Sequence, residues 1–96
     1  MKPLRVRPEA EIDAFEAALW YEGERAGCGE FLGAVREVFG HIARLPSRFP
    51  IVFGTVRRAM LRRFPFGVFF VVEETQATVI AIIHLHRDPG TWEQRG

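Results

Sequence analysis

Hydrophobic and polar positions change rhythm along the chain, and each change predicts an element. Leu4 and Val6 alternate with basic residues between Pro3 and Pro8. That period of two predicts a short strand at or near a sheet edge. From Pro8 the period lengthens: Ile12, Phe15, Leu19 and Ala26 fall near helical spacing, with Ala18 and Glu22 filling the turns. The spacing predicts a helix over 8–26 that buries this stripe. Pro8 suits a first-turn position, and Glu9 and Glu11 complement the positive end of the helix dipole. Gly27, Cys28 and Gly29 interrupt the pattern. Phe31, Leu32, Val35, Val38, Phe39, Ile42 and Leu45 then form a second, stronger stripe that ends before Pro46. The short connection makes the two helices an antiparallel hairpin.

The stretch 46–54 is rich in proline and aromatic residues and reads as a loop, with Phe49, Ile51 and Phe53 tucked against the core. Three strands follow, in "TVRRAMLRRF", "GVFFVVEE" and "TVIAIIHLH", separated by Pro65 to Gly67 and by the turn at 74–77. Short links make them an antiparallel meander. On strict alternation Ile80, Ile82, His84 and His86 share one side of the last strand, and Val79, Ala81, Ile83, Leu85 and Arg87 share the other. In the first of the three, Arg58, Met60, Arg62 and Phe64 oppose Arg57, Ala59, Leu61 and Arg63, so arginines occupy both faces. The order β-α-α-β-β-β, closed by a short C-terminal helix after Asp88-Pro89-Gly90, is that of an α+β domain. Its small antiparallel sheet, the N-terminal strand plus the meander, carries the helical hairpin on one face, because each helix has an apolar stripe to bury and no second sheet is available.

At 96 residues, 48% of them hydrophobic, the chain suits one domain spanning 1–96 with one real core. Charged residues make up 26% and the net charge is +1, which excludes disorder and also nucleic-acid binding by bulk charge alone. Basic residues are nonetheless uneven. Arg57, Arg58, Arg62 and Arg63 lie in one short segment without a carboxylate. Cys28 is the single cysteine, so there is no disulfide framework and no thiol cluster, and a reducing cytoplasm fits. No apolar leader follows the N-terminal charge, and no run approaches the roughly 20 apolar residues that span a bilayer.

The candidate chemistry is therefore the arginine segment together with His84, His86 and Arg87. Arginine holds phosphate bidentately, and histidine moves protons near neutral pH. Two histidines at i and i+2 lack the third ligand of a zinc site, and no glycine loop that would cradle a nucleotide occurs, so no metal or cofactor is expected. Each residue also has a plainer role. His84 continues a core strand and can hydrogen-bond a carbonyl or Asp88; Arg57 and Arg58 can pair across strands with Glu73 and Glu74. Trp20 and Tyr21 can pack at the end of the first helix, Trp92 can close the open end of the core, and Asp88 can cap the last segment.

The blocks "WYE", "FL", "LPSRFP", "VRRAMLRRFPFGVFF" and "AIIHLHRDPGTWEQR", in this order and spacing, resemble the RelE/ParE superfamily of type II toxins, in its plasmid-stabilisation branch. The resemblance covers nearly the whole chain and is most specific from Val56 to Trp92. It implies a sheet with a helical hairpin on one side, and a growth-inhibiting toxin neutralised in a hetero-oligomer by a cognate antitoxin. Within the superfamily, ParE-like members poison DNA gyrase and RelE-like members cut mRNA on the ribosome. A nuclease of that kind would draw on Arg58, Arg62 and His84 as catalytic groups, with Arg57, Arg63, His86 and Arg87 holding phosphate or target. This sequence has no C-terminal tyrosine, Tyr21 being the only one, and Lys2 is its only lysine. Both departures from the nuclease pattern place the gyrase-directed reading first, the nuclease second, and a non-toxic binding module of the same fold third.

Overall fold

The computed structural model describes residues 3–24, 28–86 and 93–95. Strand β1 (Leu4–Val6) leads into helix α1 (Pro8–Glu24), and α2 (Cys28–Arg44) follows as the second arm of the hairpin. A 3-10 turn over Pro46–Arg48 precedes β2 (Ile51–Phe53), β3 (Val56–Met60), β4 (Phe66–Val72) and β5 (Ala77–His84). The sheet order is β1-β5-β4-β3-β2. The α+β class, the helical hairpin and the antiparallel meander agree with the sequence. No described helix is long and apolar enough to cross a membrane.

Two features of the sheet depart from the expected four antiparallel strands. Strand β1 runs parallel to β5, with Leu4 opposite Ala77 and Val6 opposite Val79. The stretch expected to be loop contains β2, a fifth strand that pairs antiparallel with β3. Its turn is the two-residue Gly54-Thr55 link, where Gly54 takes a φ of 56° that a side chain would resist. In β2, Ile51 and Phe53 are 56% and 47% exposed rather than tucked in, and Phe49 alone of the three packs against the core. The expected C-terminal helix, with Arg87, Asp88 and Trp92, lies largely outside the described residues, as does the end of the first helix beyond Glu24.

The main core lies between the hairpin and one sheet face. Phe31, Val35, Val38 and Ile42 of α2 meet Ala59 and Leu61, Val68 and Phe70, and Val79 and Ile82. Full burial of each large side chain contributes about 1.5–3 kcal/mol. An aromatic knot closes one end: Tyr21 stacks on Phe31 at 5.5 Å, and Phe64 meets both rings edge-on at 5.0 and 5.1 Å.

Helix α1 corrects the expected stripe. Its buried side is Ala10 and Ala18, with Ala14, Ala17 and Tyr21 partly buried beside them. Ile12, Phe15 and Leu19, predicted to face the core, are 56%, 62% and 50% exposed. Two apolar faces coexist on this helix, and the small one wins because alanines let the helix axis lie close on β5.

A bulge in β5 corrects the expected alternation. Phe69 faces Ala81 while Phe70 faces Val79, so Ile80 is an extra residue. Ile80 and Ala81 therefore both join a second buried cluster, with Val56, Phe69 and Ile83, on the sheet face away from the helices. Val79 and Ile82 share the helix side. The register shift carries His84 to that side as well, edge-on to Phe66 at 5.3 Å.

Beyond Val79, β5 has no paired strand on its β1 side, because Pro8 has no N–H with which to extend β1. Arg7 makes the last ladder bond, its N–H donating to the Val79 carbonyl at 3.0 Å. Asp13 then reaches from α1 to the uncovered edge, where its carboxylate accepts the Ile82 N–H at 3.0 Å and the Arg95 guanidinium at 2.6 Å. Arg95 also donates to the Ile80 carbonyl at 3.2 Å, and Arg7 donates to the Arg95 carbonyl at 2.9 Å. The Asp13–Arg95 pair thus satisfies the strand edge that the proline leaves open.

Candidate functional site

The arginines are placed first by the sheet. Arg57 points to the helix side of β3 and straps the preceding segment, donating to the carbonyls of Ser47 at 3.1 Å and Phe49 at 2.6 Å. Arg58 points the other way: it stands opposite Phe69 in the register, and its stem lies over Gly67. A Cβ at Gly67 would come within 3.1 Å of that stem, so the glycine makes room for it. The Arg58 Nε is buried without a hydrogen-bond partner among the described residues. The Glu73 carboxylate accepts the Thr78 hydroxyl and the Gln76 amide, the latter at 3.2 Å.

Arg62 and Arg63 leave the strand for the β3–β4 loop. Arg63 adopts a φ of 73°, uncommon for a residue with a side chain. Both line a shallow cleft of about 270 Å³ against α2, where Arg62 approaches Glu37 at 3.7 Å. Both partners are largely solvated, so this pair contributes about 0–1 kcal/mol. His84 lies on the helix side at the end of β5, and His86 is exposed next to it. Arg58 and His84 thus occupy opposite faces of the sheet. The sheet does not assemble Arg58, Arg62 and His84 around one point, and Arg87 is outside the described residues.

The structure instead gathers His84 with residues of α1. A cleft of about 360 Å³ opens between the C-terminal part of α1 and the end of β5, lined by Asp13, Glu16, Trp20, Tyr21, Phe66 and His84. Trp20 and Tyr21 meet edge to face, 4.9 Å apart at 88°. His84 Nδ1 accepts the His86 N–H at 3.2 Å. Among the described residues no three His, Cys, Asp or Glu side chains are grouped as a metal site requires.

The sequence did hold a signal for this cleft. Asp13, Glu16, Ala17, Trp20 and Tyr21 recur at i, i+3, i+4, i+7 and i+8, one continuous helix face. It was masked by the larger apolar stripe of Ile12, Phe15 and Leu19 on the neighbouring face.

No protein-family model matches this sequence, and no curated protein does. Its fold, however, matches a solved structure described as the chromosomal ParDE TA system from P. aeruginosa, with a TM-score of 0.80. The match covers 90% of this chain and 98% of that one, at 18% identity. The chain is ParDE-like in fold. At that identity it is the backbone arrangement that is shared, and the sheet with a one-sided helical hairpin implied by the RelE/ParE resemblance is the arrangement observed. Within this ParDE-like fold, the described ends of α1 and β5 carry the aromatic and acidic cleft, and the β3–β4 loop carries Arg62 and Arg63.

Proposed function

We propose that this chain is the toxin of a type II toxin–antitoxin pair, acting in the cytoplasm as a single domain over 1–96 and held inactive by a cognate antitoxin. The observation that carries the reading is the fold match over 90% of this chain to a ParDE system, joined to RelE/ParE-like sequence blocks along nearly the same length. DNA gyrase is the proposed target. This is favoured over mRNA cleavage by the separation of Arg58 from His84 on opposite sheet faces. General acid–base catalysis on a ribose and its phosphate needs such groups within about 3 Å of the reacting atoms. A gyrase poison needs only a surface complementary to its target.

The test is induction of the chain alone in a bacterium, following growth, mRNA integrity and plasmid supercoiling together. Arrest with intact mRNA and disturbed supercoiling is the expected result, with growth restored by the co-expressed antitoxin. Rapid cleavage of translated mRNA makes the chain a nuclease of the RelE kind. Unimpaired growth makes it a binding module of this fold.

A further inference from the structure

The cleft between α1 and β5 has a composition with a definite chemical preference. Its lining holds the carboxylates of Asp13 and Glu16 and the rings of Trp20, Tyr21, Phe66 and His84, with no lysine or arginine among the described residues that line it. Aromatic faces carry negative quadrupole density and attract cations within roughly 6 Å. A carboxylate among such rings adds a fixed counter-charge. The carboxylates and aromatic faces of the lining thus favour a cation over an anion.

The two carboxylates are not equivalent. Asp13 is already satisfied by the Arg95 guanidinium at 2.6 Å and the Ile82 N–H at 3.0 Å, with only 15% of its side chain exposed. This is an intramolecular precedent at the margin of the same cleft: a guanidinium already docks there. Glu16, one helical turn further on, has no ion-pair partner among the described residues and is exposed. Trp20, 61% exposed, stands one turn beyond it and perpendicular to Tyr21. A planar cation can lie flat on one ring while its N–H edge reaches the carboxylate, which suits the flat fork of arginine better than the compact ammonium of lysine. The volume, about 360 Å³, is at the small end of the roughly 300–1,000 Å³ of ligand pockets, enough for one side chain and too small for a folded element.

We propose that this cleft receives an arginine side chain presented by a protein partner, held by the Glu16 carboxylate and stacked on the exposed ring of Trp20. The proposal does not rest on the toxin reading, since its test measures binding of a small probe and not growth.

The probe is Nα-acetyl-argininamide, which mimics an arginine within a chain, titrated into the protein carrying Trp92→Phe so that Trp20 is the only indole. Saturable change of Trp20 fluorescence in the millimolar range is expected. Glu16→Gln, an exposed change that leaves the fold intact, should weaken binding at least tenfold, while Glu37→Gln, in the cleft lined by Arg62 and Arg63, should leave it unchanged. The neutral isostere Nα-acetyl-citrullinamide should not saturate. Equal response to citrulline, retained affinity in Glu16→Gln, equal loss in Glu37→Gln, or no saturable response to the arginine probe each overturns the proposal.

Discussion

The two helices of the hairpin have the same length, 17 residues each, and opposite designs. Helix α2 buries Phe31, Val35, Val38 and Ile42 and shows charges to solvent, including Arg36, Glu37 and Arg44. Helix α1 turns alanines inward and leaves Ile12, Phe15, Leu19 and Trp20 about half or more exposed. The first design maximises apolar area removed from water. The second forgoes that area, and its large side chains stabilise the isolated fold little while remaining available for contact with something else. Equal hydrophobic content along a helix therefore says nothing about equal contribution to the core.

The sharpest way to break this comparison is to truncate the same residue type on each helix. Phe31→Ala should cost about 3–5 kcal/mol, because a fully buried ring leaves a cavity among Tyr21, Phe64 and Phe66. The midpoint of urea unfolding measures it. If the loss is below about 1 kcal/mol, α2 is not the helix that organises the core.

Next in size is Asp13→Ala, which tests the polar contact that α1 makes with the edge of β5. It leaves the Ile82 N–H and the Arg95 guanidinium without their shared acceptor, in a place where the carboxylate is only 15% exposed. A loss of about 2–3 kcal/mol is expected, with faster amide exchange at Ile82. A neutral outcome would mean that water substitutes for the carboxylate at the strand edge.

Phe15→Ala and Leu19→Ala should each lie within about 0.5 kcal/mol of the parent in stability, since both side chains stand in solvent. Their solubility should rise. A cost near that of Phe31→Ala would erase the contrast between the helices altogether.

The smallest expected effect concerns the β4–β5 turn, remote from both helices. The Thr78 hydroxyl and then the Gln76 amide hold the Glu73 carboxyl below its ordinary 4.5, against an opposing effect of burial, with smaller help from the charges of Arg5 and Arg7. A carboxyl lowered on folding stabilises the native state above its ordinary pKa, and the contribution is lost as pH falls through the lowered value. Stability should therefore decline slightly in acid below pH 4.5. Thr78→Val removes the principal donor and should move the Glu73 titration, read by carbon NMR, back up toward the ordinary value. An unmoved titration would assign the shift to the Gln76 amide and the arginines.

Much of this architecture was legible along the chain. The change from period two to helical period and back marked β1, both helices and the meander, since these rhythms follow from backbone geometry within a few residues. Strand β2 was legible too, in the Gly54-Thr55 turn between alternating apolar residues, but the prolines around Phe49 obscured it. The candidate site was read less well. His84 was singled out, yet its partners Glu16, Trp20 and Tyr21 were assigned to no site, and the arginines grouped by sequence are dispersed by the sheet to two faces and a loop.

What the sequence by itself determined was the identity and order of the described elements other than β2, and the strong inward face of α2, where one apolar stripe has no competitor. Only the tertiary structure decided which of the two apolar faces of α1 turns inward, that β1 lies parallel to β5, and which side His84 takes. Each of these depends on distances between segments far apart in the chain: how closely alanines let a helix approach β5, where Pro8 ends a ladder, and how one extra residue at Ile80 shifts every side chain beyond it to the opposite face.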